Sequence, residues 1–316
     1  MKKILVTGAS GFIGQALCSE LIKLNLMVCG TVRNSDSLSV SNDFECISVG
    51  DINSETNWKN ALEKVDCIIH CAGRAHVMNG KKVLDSYRLI NTEGSKRLAE
   101  QATEAGVKRL VFLSSVKVNG ESTGDPNSNK VFTNYDIPNP QDYYAISKFE
   151  AEEALREIAS RTGLEVVVVR LPLVYGHGVK GNLNSLMKLI NYSMPLPFSL
   201  INNQRSLIGI DNLVNFLIHC IEHPYAPGKT FLVSDGEDLS TPDLIKLITS
   251  SMGRRARLFP FPPPFLKLLG TILGKKKEIN RLIGSLKIDK SFMQEEINWS
   301  PPISVKEGIR RMVKGK

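Results

Sequence analysis

Apolar residues in the first half of this chain follow two rhythms. Short, almost unbroken aliphatic runs cover Lys3–Thr7, Met27–Val32, Glu45–Val49, Asp66–Cys71, Arg109–Leu113 and Glu165–Arg170. Between them, apolar positions recur every three or four residues over Phe12–Asn25, Thr56–Lys64, Leu84–Ala105 and Asp142–Thr162. The first rhythm belongs to strands buried on both faces, the second to amphipathic helices. Their alternation predicts a parallel sheet with helices on both sides. After Gly176 the segments shorten and prolines punctuate them: a helix near Leu183–Tyr192, a break at Pro195–Pro197, a helix near Asn212–Glu222, a strand at Thr230–Val233, and a helix capped by Ser240 ahead of Thr241-Pro242. The pattern predicts an α/β chain. A doubly wound parallel sheet occupies residues 1–176, rejoined by segments of about 206–235, and a smaller C-terminal lobe occupies 177–316.

Composition sharpens this picture only at a few points. At 316 residues, 42% hydrophobic and 23% charged, the chain is globular rather than disordered, with length enough for a sizeable core. The net charge of +8 suits an anionic partner, yet Lys and Arg are spread along the sequence, apart from Gly253-Arg254-Arg255 and Gly274-Lys275-Lys276-Lys277. With no aromatic-basic nucleic-acid motif beside that charge, a small phosphorylated substrate is the expected partner, and no nucleic acid. Six cysteines without a C-x-x-C pair, Cys29, Cys67 and Cys71 among them in apolar runs, read as buried reduced thiols. Cys67-Ile-Ile-His-Cys71 has the look of a core strand rather than a metal site, so no metal is expected. The apolar run behind Met1-Lys2-Lys3 is too short for a signal peptide and no run reaches transmembrane length, which makes cytoplasmic residence the default expectation.

The chemistry is announced at the first strand's end. Lys3–Thr7 empties into Gly8-Ala9-Ser10-Gly11-Phe12-Ile13-Gly14, three glycines spaced three apart. A tight turn, a bare backbone for a pyrophosphate and close packing of the next helix each need a glycine, and the helix N-terminus faces the phosphates. Farther on, Tyr144-Ala-Ile-Ser-Lys148 puts a phenol and an ammonium on one helix face, about 6 Å apart along the axis. A lysine cation and an oxidised nicotinamide would both favour the phenolate; lowering a tyrosine pKa by about three units takes roughly 4 kcal/mol. Ser115, at the C-terminal end of Phe112-Leu113-Ser114-Ser115, stands where such sheets bind ligands and can hydrogen-bond the same substrate oxygen.

On these residues the chain resembles the extended short-chain dehydrogenase/reductase family, in particular the nucleotide-sugar epimerases and reductases of bacterial surface-polysaccharide synthesis. The resemblance implies a Rossmann-like fold with a C-terminal substrate-binding lobe, and the catalytic set Ser115, Tyr144 and Lys148. It implies cofactor contacts from Gly8, Ser10, Gly11, Phe12, Ile13, Gly14, Asp51, Ile52, Cys71, Ala72, Gly73, Asn91 and Pro172, besides Tyr144 and Lys148 themselves. Lys117, Asn182, Leu183 and Arg205 match substrate positions along with Ser115, Arg205 as the arginine that grips the diphosphate. Arg33 stands where many relatives carry an aspartate for the ribose hydroxyls, so NADP(H) is favoured and NAD(H) is the alternative. Val116-Lys117 after Ser115 lacks the Asp-Glu pair of the family's dehydratases.

The implied activity is oxidoreduction at C4 of a UDP-N-acetylhexosamine. Reduction of a UDP-4-keto-6-deoxy-N-acetylhexosamine to UDP-N-acetylquinovosamine, for O-antigen or capsule, comes first. A UDP-glucose or UDP-N-acetylglucosamine 4-epimerase is the alternative, and a non-catalytic NADP(H)-binding sensor is the reading from another class. Homodimerisation through long helices is a family-based expectation. His76 and His177 read as polar loop residues near the cofactor. Phe265–Leu273, followed by Lys275–Lys277, reads first as a helix packed on the substrate lobe with a solvated basic cap, and alternatively as an amphipathic helix in peripheral contact with a membrane.

Overall fold

The computed structural model describes residues 2–34, 44–75, 83–125 and 127–315; His76 lies outside them. Seven parallel strands form one sheet: β1 (Lys3–Thr7), β2 (Met27–Val32), β3 (Glu45–Ser48), β4 (Cys67–His70), β5 (Arg109–Ser115), β6 (Glu165–Leu171) and, from the distal half of the chain, β9 (Thr230–Leu232). Their order is β3-β2-β1-β4-β5-β6-β9. Connections run outward in opposite directions from β1 and β4, and the crevice beyond that reversal is where open α/β sheets take ligands.

The two-residue alternation of the strands decides which helix covers which face. Ile4, Val6, Ile69 and Val111 face the layer containing α1 (Phe12–Lys23) and α6 (Ile210–Glu222), against Leu17, Leu21, Leu213 and Leu217. Leu5, Ile68, Leu110 and Phe112 face the other layer, against Leu98 and Ala102 of α3 (Gly94–Glu104) and Leu155 and Ile158 of α4 (Tyr143–Thr162). The β9 edge is covered by α10 (Ser291–Ile297), whose Phe292 ring lies 5.6 Å from that of Phe231. A two-stranded parallel sheet, β7 (Leu173–Tyr175) with β8 (Leu207–Gly209), leads into the C-terminal elements. There α5 (Asn182–Asn191), α7 (Thr241–Ser251), α8 (Pro263–Ile272), α9 (Lys276–Ile283) and α11 (Val305–Lys314) share a core that includes Leu186, Ile190, Ile248, Leu266 and Ile309. No helix among the described residues is long and apolar enough to cross a membrane.

Two predicted helices come out differently. Thr56–Lys64 forms a series of turns rather than a helix. The Gln101 side chain takes over its backbone groups, accepting from the Trp58 amide (2.8 Å) and donating to the Thr56 carbonyl (2.7 Å) while the Trp58 ring is fully buried. A tertiary clamp thus overrides the local helical pattern. Leu84–Ala105 is helical but not uniform: α2 (Val83–Tyr87) passes through a π-helical turn, Arg88–Glu93, before α3 begins. Ser240 caps α7 as expected, accepting from the Asp243 amide, and Asp142 caps α4, accepting from the Ala145 amide.

Candidate active site

The glycine turn is shaped by contacts that leave no room for side chains. Gly8 has φ +66°, a left-handed conformation, and a Cβ there would sit 3.0 Å from the Ala72 backbone. At Gly14 a Cβ would fall 2.2 Å from the Gly8 carbonyl oxygen, so α1 starts directly against the end of β1. Gly11 precedes α1 without any side-chain cap, which leaves the first-turn amides of a twelve-residue helix for an anion. Ser10 and Gly11 are exposed, Phe12 and Ile13 half-buried. This cradle fits a dinucleotide pyrophosphate. Beside it, Arg33 after β2 and Asp51 after β3 form an exposed ion pair with Nε 3.1 Å from Oδ1. Ile52 packs where Gly94 has no Cβ, which would otherwise approach its Cγ2 to 2.3 Å.

The β4 end is held by a proton-ordered chain. The Ala72 amide donates to Thr7 Oγ1 (3.1 Å), and the same oxygen lies 2.6 Å from His70 Nδ1. Ser95 spends its only proton on the Asn91 carbonyl (2.6 Å) and must accept from His70 Nε2 at 3.0 Å. His70 is thus protonated at Nε2; burial pulls its pKa down to about 3 and keeps the ring neutral, so Nδ1 accepts from the Thr7 hydroxyl. Asn91, in the π turn, accepts from the Arg74 amide (2.8 Å) and donates to the Arg74 carbonyl and Ser147 Oγ (both 3.0 Å). It thereby joins the loop Cys71-Ala72-Gly73 to α4 one residue before Lys148. Sequence reasoning placed Asn91 at the cofactor but missed Thr7, His70 and Ser95.

Ser115, Tyr144 and Lys148 come together at the C-terminal end of β5. Ser115 Oγ accepts from the Lys117 amide (3.3 Å), so its proton remains available to a substrate oxygen or to Tyr144. Lys148 Nζ donates to the Leu113 carbonyl (2.8 Å) and lies 4.4 Å from the Phe112 ring centroid. It also lies 3.2 Å from where a Gly73 Cβ would be, against the loop leaving β4. Tyr144 is half-buried, its ring 6.0 Å from that of Tyr87. Removal from water pushes the phenol up to about 12, while a hydrogen bond with Ser115 acts in the opposite direction. The depressed tyrosine pKa anticipated from Tyr144 and Lys148 is thus not a property of the protein alone, because the ammonium is turned to the Leu113 carbonyl and desolvation prevails.

Lys148 itself is lowered from 10.5 to about 8, chiefly by burial, with Glu152 opposing. Below pH 8 the ammonium is charged in both the folded and unfolded states, and its burial costs folding the full penalty. Between pH 8 and 10.5 the folded state releases its proton first and the penalty fades. Urea denaturation of wild type and Lys148→Met from neutral pH to pH 10.5 should show the difference in unfolding free energy moving toward the wild type, by at most about 3 kcal/mol. A difference that stays flat across that window would contradict a lysine held dry in this position.

On the substrate side Lys117 is engaged by Glu121 (2.7 Å) and by Asp142, the cap of α4. Its charge is already matched, and the trio fixes the helix turn that carries Tyr144. Pro172 is buried beyond β6, Asn182 is exposed at the start of α5, and Leu183 packs its side chain into the lobe's core. Arg205 donates through Nη1 to the carbonyls of Arg281 (2.8 Å) and Gly284 (3.0 Å). Burial first, and the neighbouring Arg281 guanidinium second, lower its pKa to about 10. Arg205 is half-buried and Arg281 exposed, with Asp142 Oδ2 3.9 Å from the Arg281 guanidinium; the two like charges leave room for an anion beside that carboxylate. Arg281 had no sequence signal beyond its charge, since α9 itself was not predicted. A cavity of about 500 Å³ opens on the α11 side of the glycine turn, between Ser10, Phe12, Gln15, His177 and Arg311; the triad is not on its wall.

Comparison with known proteins points to one family. The family model described as "NAD dependent epimerase/dehydratase family" matches residues 4–234. A UDP-glucose 4-epimerase of Vibrio cholerae is 41% identical over 316 residues, covering 98% of this chain and 94% of that protein. An N-acetyl-alpha-D-glucosaminyl-diphospho-ditrans,octacis-undecaprenol 4-epimerase of Escherichia coli O157:H7 is 24% identical over 286 residues, 88% of this chain and 82% of that one. Among solved structures, the UDP-glucuronic acid 4-epimerase of Bacillus cereus in complex with NAD superposes with a TM-score of 0.78 at 21% identity, over 98% of this chain and 97% of that one.

Proposed function

The chain belongs to the NAD dependent epimerase/dehydratase family, and we propose that it is a 4-epimerase of UDP-hexoses that keeps NAD(H) bound through the reaction. The observation that carries this reading is the full-length, 41% identity to a UDP-glucose 4-epimerase, joined to a Ser115, Tyr144 and Lys148 set held at one strand end. NAD, when bound, supplies the hydride acceptor and donor for C4. Tyr144 takes the proton from the C4 hydroxyl and later returns it, Ser115 donates a hydrogen bond to the same oxygen, and Lys148 supplies a nearby positive charge. Arg205 and Arg281 would take the diphosphate, beside α9.

The preference for NADP(H) read from Arg33 draws no support from its surroundings. Asp51 lies against that guanidinium and would oppose a 2′-phosphate, and the B. cereus neighbour is described with NAD. With that preference goes the reason for favouring net reduction over epimerisation. N-acetylated hexosamines remain candidate substrates beside UDP-glucose.

The assay is incubation of purified protein with UDP-glucose, UDP-galactose and their N-acetylated counterparts, without added cofactor, followed by separation of the epimers. Interconversion of at least one pair, with NAD released on denaturation, is the expected result. No interconversion, together with NADPH oxidation in the presence of a UDP-4-keto sugar, would replace the epimerase by a reductase.

A further inference from the structure

Helix α8 is apolar on two sides, and only one of them is used by the fold. Leu266 and Gly270 face inward; Leu266 is 5% exposed, and a Cβ on Gly270 would come within 2.7 Å of Ile279 Cγ1, so α8 lies tightly on α9. Phe265, Leu268, Leu269 and Ile272, spaced i, i+3, i+4 and i+7, form a second stripe that is 57%, 56%, 45% and 70% exposed. Leu273, at 69%, extends it beyond the helix end. Lys267, Lys275 and Lys276 are exposed on and just past the helix. From 254 to 281 the sequence holds eight basic residues (Arg254, Arg255, Arg257, Lys267, Lys275, Lys276, Lys277, Arg281) against one acidic residue, Glu278.

An isolated exposed leucine needs no explanation, but a contiguous outward stripe with a basic margin does. We propose that this face of α8 docks on an anionic membrane surface, the apolar stripe entering the headgroup boundary and the lysines meeting lipid phosphates. The helix is too short to span a bilayer, so the contact is peripheral. Charge decides against a second copy of the chain as the occupant: a self-complementary contact through this stripe would set the segment 254–281, eight basic residues against one acidic, against itself. An acyl surface carrying negative headgroups matches both the stripe and its margin. The proposal stands apart from the epimerase reading, since no residue of the stripe belongs to the site around Tyr144.

The test is co-sedimentation of the full-length protein with vesicles of phosphatidylcholine alone or with phosphatidylglycerol, beside light scattering for oligomeric state. Wild-type protein should bind the anionic vesicles and lose that binding in high salt. Replacing Lys267, Lys275 and Lys276 by Gln should weaken it roughly 100-fold. Leu268→Glu with Ile272→Glu should abolish it with an unchanged melting temperature and unchanged NAD binding. Wild-type protein that ignores anionic vesicles, binds neutral ones equally well, or forms an oligomer dispersed by the Leu268→Glu and Ile272→Glu pair would overturn the proposal.

Discussion

Tyr144→Phe is expected to lower turnover at C4 by about 10²- to 10⁴-fold while binding of NAD and of UDP stays within about twofold. The phenyl ring keeps its place beside Tyr87, so what disappears is a single hydroxyl in contact with Ser115. Because that hydroxyl sits at about 12 in the protein alone, it cannot give up its proton near neutrality until something positive joins the site. Under the proposed function the oxidised ring of NAD would supply that charge, and a pH profile of the cofactor-loaded wild type should reveal an ionisation well below that value. Ser115→Ala should cost less, because its hydroxyl supports the proton transfer without performing it. Saturating turnover, with binding measured by calorimetry, separates the two effects. Turnover of the Phe variant within tenfold of wild type would remove Tyr144 from the acid/base role.

The parts of this site legible in the sequence are those fixed by local spacing. Three glycines after an apolar strand set a tight turn, and a tyrosine and lysine four apart share a helix face, from local spacing alone. The strands of the seven-stranded sheet were legible for a similar reason, since burial on both faces demands unbroken aliphatic runs, whereas the short pair β7 and β8 was not. Residues whose role depends on distant partners were not. Gln101 clamps the Thr56–Lys64 stretch through bonds spanning 43 and 45 residues, and although Asn91 itself was named from sequence, its bonds to Arg74 and Ser147 come from a π turn that no local pattern announces. Arg33 read alone suggested a phosphate ligand, whereas its approach to Asp51 belongs to tertiary structure. In α8 both apolar stripes were present in the sequence, but the smaller one, Leu266 with Gly270, is the one the core took.

Behind the triad lies the contact whose loss should damage the fold most: Glu152→Ala is expected to lower the unfolding free energy by about 3–5 kcal/mol. Glu152 is fully buried on α4, one turn beyond Lys148. Its Oε1 accepts from Ser114 Oγ (2.5 Å) and Arg170 Nε (3.0 Å), and its Oε2 from Arg170 Nη2 (2.7 Å) and Arg156 Nη2 (2.8 Å). Alanine would leave the Arg170 guanidinium, 2% exposed, with only Asn119 Oδ1 at 3.0 Å as a side-chain acceptor. The penalty comes from that orphaned charge rather than from the value of the pair, so Glu152→Leu combined with Arg170→Met should recover part of the loss. Because Glu152 also holds the Lys148 pKa up, Glu152→Gln should move the lysine-dependent rise in stability to lower pH. Urea denaturation gives both readings. A loss under about 1 kcal/mol for the alanine variant would mean that water or a rearranged Arg156 satisfies Arg170, and that β5, α4 and β6 are not tied together through this carboxylate.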